Sequence, residues 1–520
     1  MNDDSRAKHV QQALGRRGFL GGAAGIGLSA GLIGQPMASQ AAVMPKKGGN
    51  LRVAIIGGGS ADTLDANSNV TQPDAARVLT LYEPLRAVGK GGKIENILVD
   101  SMEPNKDATE WTIRLRKGVE FHDGKPLTAE DVAFTYRRVT DPKNALAGAP
   151  ELGPIDRDNM KALDDLTLRV PMHGPFAIFD QAVADGINLG IVPVGYDPKK
   201  PVGTGAFKLQ SFTPGQQSVF ARFDGYWGQQ AHVDLLTIID SFATDTAAFN
   251  ALQGGEIDIF AAAPLELARQ VQTGGSLKLN VSEVGQWAPF TMRVDVPPFD
   301  NPDVRMAFRL LVDREQMIKI ALSGFGEIGN DVFSIWDDAP KLFQRSRDVA
   351  GAKSLLKKAG HENLTVELVT ADVANGVVAS AQVFARQARD AGVKVNVRQV
   401  TPDVFYGDQY LKWPFAQDFW SIKPYLPQIS LCLLPSSPYN ETHWADPNYI
   451  KLFNQALATV DESQRAQIAL ELQKIDFEKG GYIIPWHNRL IDIGGANVNG
   501  MHPGVVYAMG DYDFASVWLS

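Results

Sequence analysis

The sequence predicts an α/β protein built as more than one lobe, and three features carry that prediction. Its 520 residues are enough for two or three hydrophobic cores rather than one. A strand–helix–strand succession runs through residues 364–397, an order that implies a parallel pair with a right-handed crossover. Residues 193–205 are dense in proline and glycine and read as a crossing point between lobes.

The elements follow in order. Residues 42–50 are a Pro/Lys/Gly lead-in to Leu51-Arg-Val-Ala-Ile-Ile56, a β-rich apolar run stopped by Gly57-Gly58-Gly59. Trp111-Thr-Ile-Arg-Leu-Arg116 alternates apolar and basic residues, as a strand with one wet face does. Thr128 is placed to cap a helix carrying Val132, Ala133 and Tyr136 on one face, and Leu166 to Val170 reads as a short strand. Asn301-Pro302 is a strong helix start, a side-chain cap followed by proline in the first turn, with Val304, Phe308 and Leu311 sharing a face. Asp313 and Gln316 resemble a capping box for the next helix. Leu364 to Leu368 is a strand, a helix from about Val377 to Ala391 ends at Gly392, and Val393, Val395 and Val397 alternate as the next strand.

Composition narrows the class. With 44% apolar and 21% charged residues the chain reads as a soluble globular protein. Its net charge of -9 argues against nucleic acid as a main partner. The one cysteine, Cys432, excludes an intrachain disulfide or a thiolate cluster, and in the run Leu431-Cys-Leu-Leu434 it reads as a buried small hydrophobe. Arg6, Lys8, Arg16 and Arg17 precede a Gly/Ala-rich apolar stretch from Phe19 to Ile33, and Ser39-Gln40-Ala41 offers small residues for a signal peptidase. Gly15-Arg16-Arg17-Gly18-Phe19-Leu20 looks like a twin-arginine export signal, so residues 1–41 are expected to be a cleaved signal peptide. The stretch is too short and glycine-rich for a membrane anchor, and no cysteine near the cut is available for lipidation.

Enzyme motifs are lacking. Gly57-Gly58-Gly59-Ser60-Ala61-Asp62 follows a strand but lacks the dinucleotide-binding spacing. It reads instead as a turn where backbone approaches a ligand or the other lobe, which makes Ser60 a candidate contact. No nucleophile elbow or phosphate loop occurs, and His122, His173, His232, His361, His443, His487 and His502 are scattered. The expectation is therefore a binding protein with no catalytic residues, no cofactor and no metal.

Four stretches together resemble the extracytoplasmic solute-binding proteins of family 5, the dipeptide-, oligopeptide- and nickel-binding receptors of ABC importers. They are Phe121-His-Asp-Gly-Lys-Pro-Leu-Thr-Ala-Glu-Asp-Val-Ala-Phe-Thr-Tyr-Arg-Arg138, Pro201-Val-Gly-Thr-Gly-Ala-Phe-Lys-Leu209, Pro297-Pro-Phe-Asp-Asn-Pro-Asp-Val-Arg305 with Asp313-Arg-Glu315, and Tyr482-Ile-Ile-Pro485. The resemblance implies a two-lobed periplasmic-binding-protein fold of type II, joined by two strands, with an extra subdomain inserted in the first lobe. Lobe I is expected from residues 42–85, 200–285 and 495–520, the inserted subdomain from 86–199, and lobe II from 286–494. It also implies a periplasmic monomer that captures a small peptide-like or other organic ligand between its lobes and delivers it to ABC permease subunits with their ATPases. A ligand-loaded sensor for a membrane receptor would share the fold, and a periplasmic hydrolase is a further alternative.

The resemblance also points to a pocket. Where peptide binders carry an aspartate for the peptide's amino terminus, this chain reads Phe419-Trp420-Ser421-Ile422-Lys423-Pro424-Tyr425, with Lys423 at the acidic position. Arg293 stands at a second, usually polar, position before the Pro-Pro-Phe run. Trp420 and Phe419 would supply aromatic wall, Ser421 a polar contact, and Lys423 and Arg293 a grip for an anionic group. The competing reading pairs both cations with nearby carboxylates such as Asp295 or Asp418.

Overall fold

The computed structural model describes residues 44–520 apart from Val70, Asp185, Thr273, Gly274 and Val284. The expected signal peptide lies outside the described residues. Residues 45–520 form one compact unit.

Strand Asn50–Ala54 is central to a mixed seven-stranded sheet, pairing in parallel with Leu235–Ile239 on one side and Ile259–Phe260 on the other. Antiparallel strands extend it: Gln217–Arg222 and Phe207–Thr213 at one edge, Ile491–Gly494 and Lys278–Val281 at the other. The chain therefore leaves this sheet after Val281 and returns to it at Ile491.

Between those points lies a five-stranded sheet. Thr365–Ala371 and Lys394–Val400 pair in parallel through helix Val377–Ala388, as the alternating sequence predicts. Phe415–Gln417, Phe290–Met292 and Tyr482–Ile483 complete it. A smaller sheet sits at the junction: Gly326–Ile328, Trp486–Asn488, Gln286–Trp287 and Trp420–Ser421. The chain thus passes twice between the seven-stranded sheet and this junction sheet, at 281–286 and 488–491.

The four-stranded antiparallel sheet of Val99–Pro104, Glu110–Leu115, Thr167–Pro171 and Lys161–Asp164 is separate. Trp111, Ile113 and Leu115 are buried on one face, opposite Thr112 and Arg114. Helix Ala129–Val139 buries Val132, Ala133 and Tyr136, and its Asp131 carboxylate accepts from the Thr128 amide (2.9 Å) and hydroxyl (2.7 Å). The core of this segment runs on into helices Tyr425–Cys432, Pro447–Ala458 and Glu462–Lys479, and Ala177 donates its amide to Leu457 O at 2.7 Å.

Helix Pro302–Leu311 starts where Asn301 accepts from the Asp303 amide, and Val304, Phe308 and Leu311 are buried. Helix Arg314–Ala321 departs in one detail from the capping box expected of Asp313 and Gln316. Asp313 accepts from the Gln316 amide at 3.0 Å, but the Asp313 amide donates to Gln387 Oε1, brought in from another helix. Cys432 is fully buried, as its apolar setting predicts.

Candidate ligand-binding site

A cavity of about 280 Å³ lies where the first sheet's elements, the four-stranded segment and the Trp420–Pro427 region meet. Its volume is at the small end for a ligand pocket, and most of its wall is apolar or aromatic. Leu79, Glu83, Phe207 and Tyr226 form one side, Gln181 and Glu151 another, and Ile422, Lys423 and Pro424 a third. The C-terminal strip Val506 to Ala515 closes it.

Local sequence shapes each wall. In the strip, Met509, Gly510, Asp511 and Tyr512 all have positive φ, between 53° and 65°. Such backbone costs a non-glycine residue about 1–2 kcal/mol. Hydrogen bonds offset that cost: the Asp511 carboxylate accepts from the amides of Val505 (2.9 Å), Val506 (2.7 Å) and Tyr507 (2.6 Å). Asp492 accepts from the Met509 amide at 2.8 Å. Burial raises the Asp511 carboxyl above its ordinary range, against those three donors. Glu83, also raised by burial, accepts from Tyr226 OH and Trp227 Nε1, each at 2.8 Å.

The two hallmark stretches act as scaffold behind this wall. His122 accepts at Nδ1 from the Gly203 amide (3.2 Å), and its Nε2 lies 3.0 Å from Gly205 O. Burial lowers its pKa to about 4, so the ring is neutral and Nε2 is the donor. Gly203 lies so close to the end of helix Gln72–Leu81 that a Cβ there would fall 1.9 Å from Leu81 O. Asp131 ties the two stretches together, taking the Val194 amide at 2.8 Å and pairing with Lys125.

Of the six residues expected to contact ligand, Lys423 lines the cavity. Its Nζ lies 3.6 Å from Glu151 Oε1 of the four-stranded segment, not beside Asp418. Trp420 stacks on Trp287 (6.1 Å between centroids, 15°) and points Nε1 at Glu441 Oε2 (3.4 Å), so it packs on the junction sheet outside the lining. Ser421 is in the same strand, paired with Gln286, and Phe419 packs against the core that contains Phe290, Phe384 and Phe415. Arg293 is taken up by Asp295 in a two-pronged pair (3.0 and 2.6 Å) and by Lys412 O (3.1 Å), away from the cavity.

Ser60 is exposed in a turn that also lies outside the lining. Gly58 makes room for a carboxylate cluster, since a Cβ there would be 2.4 Å from Asp240 Oδ2. Asp62, Asp74 and Asp240 all surround the fully buried Arg77 at 2.9, 3.0 and 2.5 Å. Burial and the neighbouring Asp62 push Asp240 up to about 6.

Sequence reading missed Glu83, Glu151, Tyr226 and the C-terminal strip. The acidic–aromatic run Tyr507-Ala-Met-Gly-Asp-Tyr-Asp513 was the available signal for the last. Across the cleft, Ile422 packs with Val505 and Val506, supported by Val88, Ile335, Trp336 and Tyr507. Among the described residues no group of three His, Cys, Asp or Glu side chains is placed to hold a metal ion. Among them, too, no helix is long and apolar enough to cross a membrane.

The profile for bacterial extracellular solute-binding proteins, family 5 middle, matches residues 93–440. The glutathione-binding protein GsiB of Pectobacterium atrosepticum is 26% identical over 487 residues, covering 87% of this chain and 92% of that protein. The protein of the same name from Escherichia coli K12 is 24% identical, covering 84% and 89%. Among solved structures, the periplasmic binding protein DppA of Helicobacter pylori in complex with the peptide STSA has a TM-score of 0.74 at 22% identity, covering 91% of this chain and 98% of that one. AgaA of Agrobacterium tumefaciens R10 in complex with agropinic acid has a TM-score of 0.72 at 23% identity, covering 91% and 99%. These structures share the two-lobed fold.

Proposed function

The chain belongs to family 5 of the bacterial extracellular solute-binding proteins, the substrate-binding components of ABC importers, and from that premise we propose that it captures a short peptide-like ligand in the cavity between its lobes. One observation carries this reading: the cavity draws its walls from both sides of a two-segment junction, so hinge motion at 281–286 and 488–491 would open and close it. A related protein named for glutathione and solved relatives holding a peptide and agropinic acid support a small organic ligand carrying a carboxylate. Lys423 is the group that would meet that carboxylate; Arg293, committed to Asp295, drops out of the reading.

Capture proceeds without chemistry, and the loaded, closed form is what the permease subunits and their ATPases would receive. The mature protein would be a periplasmic monomer, exported through residues 1–41. Mass spectrometry of what co-purifies with the native protein tests the ligand class, and scattering with and without it tests closure. Recovery of a peptide-like acid with contraction on binding is expected. Turnover of the bound compound, or saturation without contraction, overturns the proposal. Export is tested separately: Arg16→Lys with Arg17→Lys should strand the precursor in the cytoplasm.

A further inference from the structure

A much smaller cavity, of about 10 Å³, lies beside strands Phe290–Met292 and Phe415–Gln417, under the segment 405–413. Two acids, Asp418 and Glu441, share its wall with Thr291 and the rings of Phe405, Tyr410 and Trp413. The acids are only 4% and 5% exposed. Each carboxylate takes two donors: Asp418 from Tyr406 OH (2.7 Å) and the Phe419 amide (2.8 Å), Glu441 from Tyr482 OH (2.6 Å) and Trp420 Nε1 (3.4 Å). Donors aimed at a carboxylate favour its ionised form. Glu441 Oε1, in contrast, is buried and accepts no hydrogen bond. Among the described residues no basic side chain pairs with either acid: Arg293 is held by Asp295, and Arg398 by Glu367 and the outer face of Trp413. Burial raises both carboxyls above their ordinary range, and the neighbouring Asp418 adds to the rise at Glu441.

We propose that Asp418 and Glu441 form a site for one water-sized monovalent cation, of the class of potassium or ammonium, apart from the cavity between the lobes. Two adjacent buried carboxylates without a countercharge are strongly unfavourable, and either a proton or a cation offsets them. The four donors oppose a proton, because each is placed to serve an ionised oxygen. A cavity of this volume has room for about one water-sized sphere, which is the size of a potassium or ammonium ion. The surrounding rings favour a cation over neutral water. Calcium and magnesium are excluded by chemistry: they demand about six to eight oxygens, and two carboxylates and one hydroxyl among aromatic rings leave no room for the waters that would complete their shells. Occupied, the site ties the end of strand Phe415–Gln417 to the segment carrying Glu441, and through Trp420 Nε1 to the junction sheet.

Thermal melting of the purified protein in chloride salts at one pH and one ionic strength tests this, with N-methylglucamine as the bulky reference cation. Potassium and ammonium should each give a saturable rise of about 2 °C over the reference, and lithium less than half of it. Glu441→Gln and Asp418→Asn should each abolish the rise. Diffraction from crystals of the native chain soaked in rubidium provides the second measurement, independent of how the variants fold: an anomalous peak is expected between the two carboxylates. An equal rise in every chloride, as a shared proton or plain ionic strength would give, overturns the site. So does a rise retained in both variants, a response to magnesium or calcium in place of potassium, or a rubidium soak without a peak at Asp418 and Glu441.

Discussion

His487 lies buried in strand Trp486–Asn488, with Nε2 3.2 Å from Val332 O, and burial lowers its pKa to about 4. An unfolded histidine titrates near 6.5, so between about 6.5 and 4 the unfolded chain holds a proton that the folded chain lacks. Stability from this group falls as pH drops through that window, by up to about 1.4 kcal/mol per unit. Asp476 opposes it. Burial raises its carboxyl to about 7 despite hydrogen bonds from Tyr425 and Tyr449, so the folded chain gains its proton first as pH falls from about 7 toward 4. His487→Gln should therefore gain stability relative to the native chain as pH is lowered from 6 to 4.5, read by denaturant melts at both values. Arg293→Ala makes the contrasting point. Its pair with Asp295 is partly solvated, so loss of the pair should cost about 1 kcal/mol or less and change ligand affinity by less than about twofold. A tenfold loss in a calorimetric titration would return Arg293 to the site.

Helix Gln72–Leu81 and the loop through Gly203 interlock closely beside the cavity. The loop crosses the helix end at a distance only glycine allows, while Gly205 donates its amide to Leu81 O at 3.0 Å. Because the neighbour is backbone, nothing flexible can move aside. Gly203→Ala should therefore destabilise the fold by about 3 kcal/mol and displace Phe207 and Tyr226 from the cavity wall. Thermal melting measures the first effect and loss of ligand affinity the second; an unchanged melting temperature would show that the loop relaxes freely. The same loop carries the Pro/Gly density read from the sequence as a crossing between lobes. It leads from the four-stranded segment back to strand Phe207–Thr213 of the seven-stranded sheet.

At the scale of the whole molecule, the proposed closure would depend on small contacts across the cleft. Trp336 sits against Gly92, where a Cβ would fall 2.4 Å from its ring, and it borders the apolar cluster around Ile422, Val505 and Val506. Trp336→Ala should shift the ligand-free protein toward an open form, raising its radius of gyration in solution scattering, and weaken ligand binding by about tenfold or more. A ligand that binds only the folded state, at about 100 times its dissociation constant, adds roughly 2.7 kcal/mol of stability. That gain should be preserved in Trp336→Ala once its weaker affinity is saturated. An identical radius for variant and native chain without ligand would show that the cluster does not govern closure.

The sequence by itself determined what depends on neighbours within a turn or on an alternating face. Asn301 and Pro302 start their helix, Thr128 starts another, and the valines of 393–397 form the strand beside Thr365–Ala371. Its four hallmark stretches also identified the family, because they encode scaffold contacts such as His122 on Gly203 and Asp131 on Val194. Tertiary structure alone decided which side chains face the cavity. Trp420 was read as a wall, but Trp287 holds it on the junction sheet; Gly58 makes room for Asp240; and the Asp313 amide is claimed by Gln387. Lys423 lines the cavity, and Glu151, 3.6 Å from it, comes from a distant segment. The reason is physical. Capping and periodicity are satisfied by atoms a few residues away, whereas the partner of a charge in a cleft is set by how separately folded segments pack.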